Sequence, residues 1–286
     1  MMVKITKIGF YGIRNLGPGL VQTVINKGLS AVIYEKDYDV YQSGLNIIER
    51  NIDSEIEHWG LTLKDKKVML SRIEHIENLS DFSKHDIDIL VESVEERLQR
   101  KREVREKIKN EVNMNIPIIF TSQTNSLKDI LEESDLKSKS VNVHPVPSVP
   151  IYRLVEFFKN DETSDTTYEI VKELFSKIDL KIVEMKDGAG LVGPRVLIST
   201  ILEACDVMKE TGISPEKFDF VMKKGLKMYK GPLAIADEIG LDNIKMWIEE
   251  LSKIDSSVYK VPEILKNLLD KGYTGIKAKQ GFLNYR

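Results

Sequence analysis

The stretch Ile8-Gly9-Phe10-Tyr11-Gly12-Ile13-Arg14-Asn15-Leu16-Gly17-Pro18-Gly19, followed by Ala31-Val32-Ile33-Tyr34-Glu35, decides how the chain folds. Ile5 to Tyr11 is a short apolar-rich run that stops at Gly12, and helical spacing follows through Leu20, Val21, Val24 and Ile25 to a close at Lys27-Gly28. A second apolar run, Ala31 to Tyr34, ends in Glu35. Strand, tight turn, helix and strand within about 30 residues make one βαβ unit. Glycines 12, 17 and 19 sit where such a turn lets backbone N–H groups and a helix N-terminus face a pyrophosphate. Glu35 lies 23 residues after Gly12, where a carboxylate can hold both ribose hydroxyls of NAD and repel the extra phosphate of NADP. The expected NAD contacts are therefore Gly12, Arg14, Leu16, Gly17 and Glu35; the bland alternative is an α/β turn without a ligand. The dinucleotide fingerprint G-x-G-x-x-G is incomplete, because Arg14 stands at its middle glycine. The arginine could fold out and pair with a phosphate, or it could fill the space.

Outward from this unit, helical spacing continues from Asp39 to Trp59 through Leu45, Ile48, Ile52 and Ile56, and again from Leu63 to about Leu70. Residues 88–91, 117–121, 140–143, 154–158 and 181–185 are strand candidates, with a charged helix from Glu95 to Val112 between the first two. Strands alternating with helices predict an α/β fold with a doubly wound, mainly parallel Rossmann-type sheet. The texture changes at Asp187-Gly188-Ala189-Gly190. Beyond it, 191–210, 214–225, 234–239, 244–254 and 263–272 carry helical periodicity alone, separated by Gly, Pro or Asp signals. The expected domains are 1–186, binding the dinucleotide, and 187–286, an all-α domain.

Gross composition narrows the function. Among 286 residues, 42 Lys and Arg nearly cancel 45 Asp and Glu, leaving no broad basic field for nucleic acid. The single cysteine, Cys205, rules out an intramolecular disulfide framework and fits a reducing compartment. No apolar run reaches the ~20 residues of a membrane span, and the N-terminal residues carry no signal-peptide pattern, so a cytoplasmic protein with no membrane partner is expected. His58, His75 and His85 have no Cys or His partners at ligand spacing, and no metal is expected.

Further motifs carry a resemblance that runs almost end to end. Ile8 to Gln22; Val91-Glu92-Ser93-Val94-Glu95-Glu96 with Lys101; His144 twelve residues before Glu156 in Leu154-Val155-Glu156; Gly231-Pro232-Leu233 with Asp237 and Gly240-Leu241-Asp242; and Gly275-Ile276-Lys277 with Gly281-Phe282 all stand in order. Together they resemble the 3-hydroxyacyl-CoA dehydrogenase family. The resemblance implies an oxidoreductase that moves a hydride between NAD and C3 of a short-chain 3-hydroxyacyl-CoA, dimerising through its helical domain. It implies that His144 is the general base and Glu156 the carboxylate that orients it, a pairing suited to imidazole because its charge changes near neutral pH. It puts Glu96 and Lys101 by the nicotinamide half of NAD, and Ser122 and Asn125 at the substrate. Arg50 could meet a CoA phosphate, although a surface arginine is the blander reading.

Several positions depart from the family's pattern. Asn125 replaces the serine that contacts the substrate oxygen, though its amide can still donate. Gln123 replaces an asparagine, Pro147 falls within an altered segment after His144, and Pro194 removes an amide side chain. His144-Pro145 resembles the gulonate dehydrogenase branch of the same superfamily. Two alternatives therefore stand beside the first: a dehydrogenase of another hydroxy acid, and a non-catalytic relative that binds nucleotide or acyl-CoA.

Overall fold

Short β-branched runs alternate with amphipathic stretches over the first two thirds of the chain, and they assemble into one eight-stranded sheet covered by helices. The computed structural model describes residues 4–14, 17–112, 114–145, 153–188 and 192–285. Contacts divide it into two units, one of residues 1–122 with 126–188 and the other of residues 123–125 with 189–286.

In the first unit the chain runs β1 (Lys7–Tyr11), α1 (Gly17–Asn26), β2 (Ser30–Tyr34), α2 (Tyr38–Trp59), α3 (Leu63–Leu70), β3 (Ile73–Ile76), β4 (Ile89–Glu92), α4 (Leu98–Glu111), β5 (Ile118–Thr121), α5 (Leu127–Ile130), β6 (Ser140–Pro145), β7 (Leu154–Lys159), α6 (Asp165–Lys177) and β8 (Lys181–Lys186). Spatial order is β3-β2-β1-β4-β5-β6-β7-β8. The order reverses between β1 and β4, the switch point where doubly wound sheets bind ligands. Every pairing is parallel except β6 with β7. The central strands β4 and β5 are buried at all four positions, as strands covered on both faces must be. Their side chains alternate between two apolar clusters: Ile89 and Val91 pack with Val21, Ile25 and Ile48, while Leu90 packs with Val104, Ile108 and Phe120.

Two differences from the sequence reading have a local physical cause. β3, Ile73-Glu74-His75-Ile76, was not expected, because an edge strand with partly exposed faces needs no continuous apolar run. The charged helix starts at Leu98 rather than Glu95, because the Glu96 side chain turns inward to accept from Ser122 and holds the chain outside the helix.

The second unit carries α7 (Val192–Thr211), α8 (Pro215–Gly225), α9 (Pro232–Ile239), α10 (Leu241–Ser252) and α11 (Glu263–Asp270) around Ile198, Cys205, Leu233, Ile244, Trp247 and Leu265. Among its described residues there is no strand, only isolated bridges from Gln280 to Gly275 and Asn284. Two buried aspartates hold it together. Asp219 accepts from the amides of Leu233 and Ala234 at the start of α9. Asp237 accepts from the amides of Phe282 and Leu283, each at 2.8 Å, and from the Tyr285 hydroxyl at 3.0 Å. A Cβ on Gly281 would lie 2.0 Å from the Asp237 carboxylate, so the tail can approach only as glycine. No described helix is long and apolar enough to cross a membrane.

Candidate active site

The turn after β1 is built around Ser93. Gly12 takes φ +89°, donates to the Tyr34 carbonyl, and would put a Cβ 2.5 Å from the Ser93 carbonyl oxygen. Gly17, at the start of α1, would put one 2.7 Å from the Ser93 hydroxyl. Ser93 in turn donates from its amide to Tyr11 and from its hydroxyl to the Arg14 carbonyl at 3.0 Å. In sequence Ser93 is read only as part of a motif and has no role of its own, because the two glycines meet it only in space. The Arg14 side chain is exposed, and it lines a cleft with Tyr11, Tyr34, Glu35, Val94 and Glu95. Its outward course leaves the turn's interior to the glycines. A cleft at the switch point, with a carboxylate at the end of β2 and a cation at the turn, fits an NAD molecule laid across it. The Glu35 backbone carbonyl meets His75 Nε2 at 2.9 Å, which ties the end of β2 to β3. Leu16 lies outside the described residues.

Farther along the same carboxyl edge, His144 on β6 stands directly opposite Glu156 on β7 in the antiparallel register. The two side chains therefore share a face, and His144 Nδ1 lies 3.2 Å from Glu156 Oε2. His144 is 3% exposed, and its Nε2 is buried without a hydrogen-bond partner among the described residues. An imidazole held at Nδ1 by a carboxylate keeps its Nδ1 proton, which leaves Nε2 as the lone pair that can take another.

Glu96 and Lys101 are brought together, but both are fully enclosed. Lys101 Nζ reaches Glu92 Oε2 at 3.0 Å and the Thr121 carbonyl at 2.5 Å, and Ser122 donates to Glu96 at 2.5 Å. Burial pushes the Glu92 carboxyl above its ordinary range, although Lys101 pulls the other way. Asn125, also buried, donates weakly to Thr124 Oγ1 at 3.4 Å. Ser126 caps α5, whose first amides are taken by Asp187: its oxygens accept from Leu127 and Lys128, each at 2.8 Å. Arg50 is exposed on α2 and donates to the Asn46 carbonyl of its own helix. No cluster of three or more metal-ligating side chains occurs among the described residues.

Residues 7–188 match the NAD binding domain of 3-hydroxyacyl-CoA dehydrogenase, and residues 190–285 match its C-terminal domain. A probable 3-hydroxybutyryl-CoA dehydrogenase of Deinococcus radiodurans is 28% identical over 98% of this chain and 100% of its own. One of Bacillus subtilis is 29% identical, covering 99% and 98%. The solved structure of (S)-3-hydroxybutyryl-CoA dehydrogenase from Ralstonia eutropha superposes with a TM-score of 0.82 at 28% identity, over 99% of this chain and 100% of that one.

Proposed function

Because the chain belongs to the 3-hydroxyacyl-CoA dehydrogenase family, we propose that it moves a hydride between NAD and C3 of a short-chain 3-hydroxyacyl-CoA, with His144 as its base. One observation carries the assignment: a buried imidazole whose Nδ1 faces Glu156 and whose Nε2 has no partner among the described residues. When bound, NAD supplies the hydride acceptor, and the residues of this chain supply position and proton traffic. Gly12, Arg14, Gly17 and Glu35 would hold the adenosine and pyrophosphate. His144 Nε2 would take the proton of the C3 hydroxyl as the alcohol is oxidised, and would return it when the ketone is reduced. Glu156 would steady the imidazolium, and its orientation of the ring keeps Nε2 as the acceptor. Asn125, at the position of the family's serine, is the expected donor to the substrate oxygen. The short acyl chain rests on the likeness to probable 3-hydroxybutyryl-CoA dehydrogenases.

The test is oxidation of NADH with acetoacetyl-CoA, run beside a direct titration of NAD. The His144→Gln variant should lose roughly 10²–10⁴ in kcat, while NAD affinity stays within about twofold. Glu156→Gln should fall in the same direction by less. Turnover of His144→Gln at the wild-type rate would exclude the mechanism. A wild type that binds NAD yet turns over no hydroxyacyl-CoA would move the non-catalytic alternative ahead.

A further inference from the structure

The five residues that join β5 to α5, Ser122 to Ser126, are all polar and all buried. Connections normally run over the surface, because an enclosed one must find a partner for each of its polar groups. This one is held at both ends. At its start the Ser122 amide donates to the Val143 carbonyl at 3.2 Å, one residue before His144. At its end stands α5, a single turn of four residues. The first amides of a helix have no partner within it, and in α5 the first three are each met by a side chain. Asp187 Oδ1 accepts from Leu127 and Oδ2 from Lys128, both at 2.8 Å, while the Ser126 hydroxyl accepts from Asp129 at 3.0 Å.

A turn this short adds little stability of its own, yet it is capped by a carboxylate from 60 residues further along the chain. That carboxylate is costly to keep. Burial pushes it above its ordinary range and Asp129 adds to the shift, against the pull of the amides. What the arrangement supplies is direction. Two bonds from one rigid carboxylate fix how the chain enters α5, and so how the residues just before it are turned. Asn125 comes directly before the Ser126 cap. A donor that is to meet a developing negative oxygen must already point at it, because reorientation during the reaction forfeits much of the benefit.

We propose that Asp187 is a positioning residue for the reaction: by taking the Leu127 and Lys128 amides it fixes the end of the 122–126 connection, and with it the Asn125 amide that meets the substrate oxygen. The inference rests on the proposed reaction and adds to it a residue that acts through Asn125 and not on the substrate.

The experiment measures NADH oxidation with acetoacetyl-CoA, together with NAD affinity and melting, for wild type, Asp187→Asn, Asn125→Ala and the protein carrying both. Asparagine keeps the shape of aspartate and one acceptor oxygen, but it turns an amide toward the second backbone donor. Asp187→Asn should lower kcat by about 10- to 100-fold, the scale of loss when a reacting group is misplaced by an ångström or less, while NAD affinity holds within about threefold. In the Asn125→Ala background the same substitution should cost less than about twofold more, because residues that act through one another do not give losses that multiply. Ser126→Ala loosens the same turn from its other cap, and it should behave alike in the two backgrounds even where Asp187→Asn folds poorly. A role in the fold alone predicts losses that multiply, and such losses would overturn the inference. Wild-type kcat in Asp187→Asn or in Asn125→Ala would overturn it as well. A wild type that reduces no acetoacetyl-CoA removes the reaction and the inference together, whereas an active wild type whose losses multiply removes the inference alone.

Discussion

Arg14 illustrates how far single residues could be read in advance. Its position at the fingerprint's middle glycine was plain, but its direction depends on what fills the turn, and the filler is Ser93. Serine at that position carries no signal, because its importance comes from two glycines that approach it through the fold. Glu35 was legible from its distance to Gly12 and stands at the cleft. Its carboxylate should make NADP bind more weakly than NAD by about 1–3 kcal/mol, a difference that the exposed Arg14 and Lys36 reduce without reversing. Fluorescence titration with both nucleotides measures it, and equal or tighter binding of NADP would remove Glu35 from the ribose site. Cys205 gives a simpler expectation. Burial pushes its thiol up to about 12, so folded protein at pH 8 should react with a thiol reagent far more slowly than protein in guanidinium, which should yield one thiol per chain. The sign for stability follows from the same shift. The unfolded thiol ionises first as pH rises, so this group's contribution is complete below the ordinary thiol range and is lost as pH climbs toward 12.

At the scale of elements, strands with continuous apolar runs were legible and β3 was not. Ile73-Glu74-His75-Ile76 offers two apolar residues around two polar ones, and only its pairing with β2 makes it a strand. The last turns of the chain show the opposite case. Gly281-Phe282 was readable as a motif, but its physical basis is the Asp237 carboxylate, which gathers two amides and a hydroxyl from the tail. Replacing Asp237 with Ala leaves those donors in a buried setting and should cost about 2–4 kcal/mol in urea unfolding. Replacing the exposed Asp206 on α7 should stay within about 0.5 kcal/mol. Burial holds the Asp237 carboxyl above its ordinary range despite those donors. A raised folded-state pKa means that the folded chain keeps its proton longer. This group therefore favours the fold on acidification, and that contribution is lost as pH rises through the carboxyl's folded range. Asp237→Asn should flatten that part of the pH profile. An Asp237→Ala variant as stable as wild type would show that the tail is held by something else.

For the whole molecule, the change from alternating strands to helices alone was visible in the sequence, and contacts separate a sheet unit from a helical unit. Assembly is harder to read, because an apolar face looks the same in sequence whether it meets its own core or another chain. In the helical unit Val192, Val196, Phe220, Val221, Leu226 and Tyr229 are each more than half exposed. Such a concentration favours contact with a second chain. We expect sedimentation at twice the chain mass at micromolar concentration, shifted toward the single chain by Phe220→Glu with Val196→Glu. A wild type that sediments only as one chain would overturn this.

The antiparallel pairing of β6 with β7 has a consequence for how this family of sequences can tolerate insertions. His144 and Glu156 meet because both stand on one side of the pleat at the same rung of the ladder. One extra residue placed within β7 between Leu154 and Glu156 would keep the sequence motif almost intact yet turn the carboxylate to the opposite side. A change in the number of residues between Pro145, where β6 ends, and Leu154, where β7 begins, alters the spacing in sequence and leaves the rung unaltered. What inheritance must preserve here is an odd-or-even relation within a strand, and the count of twelve residues between the partners is incidental to it.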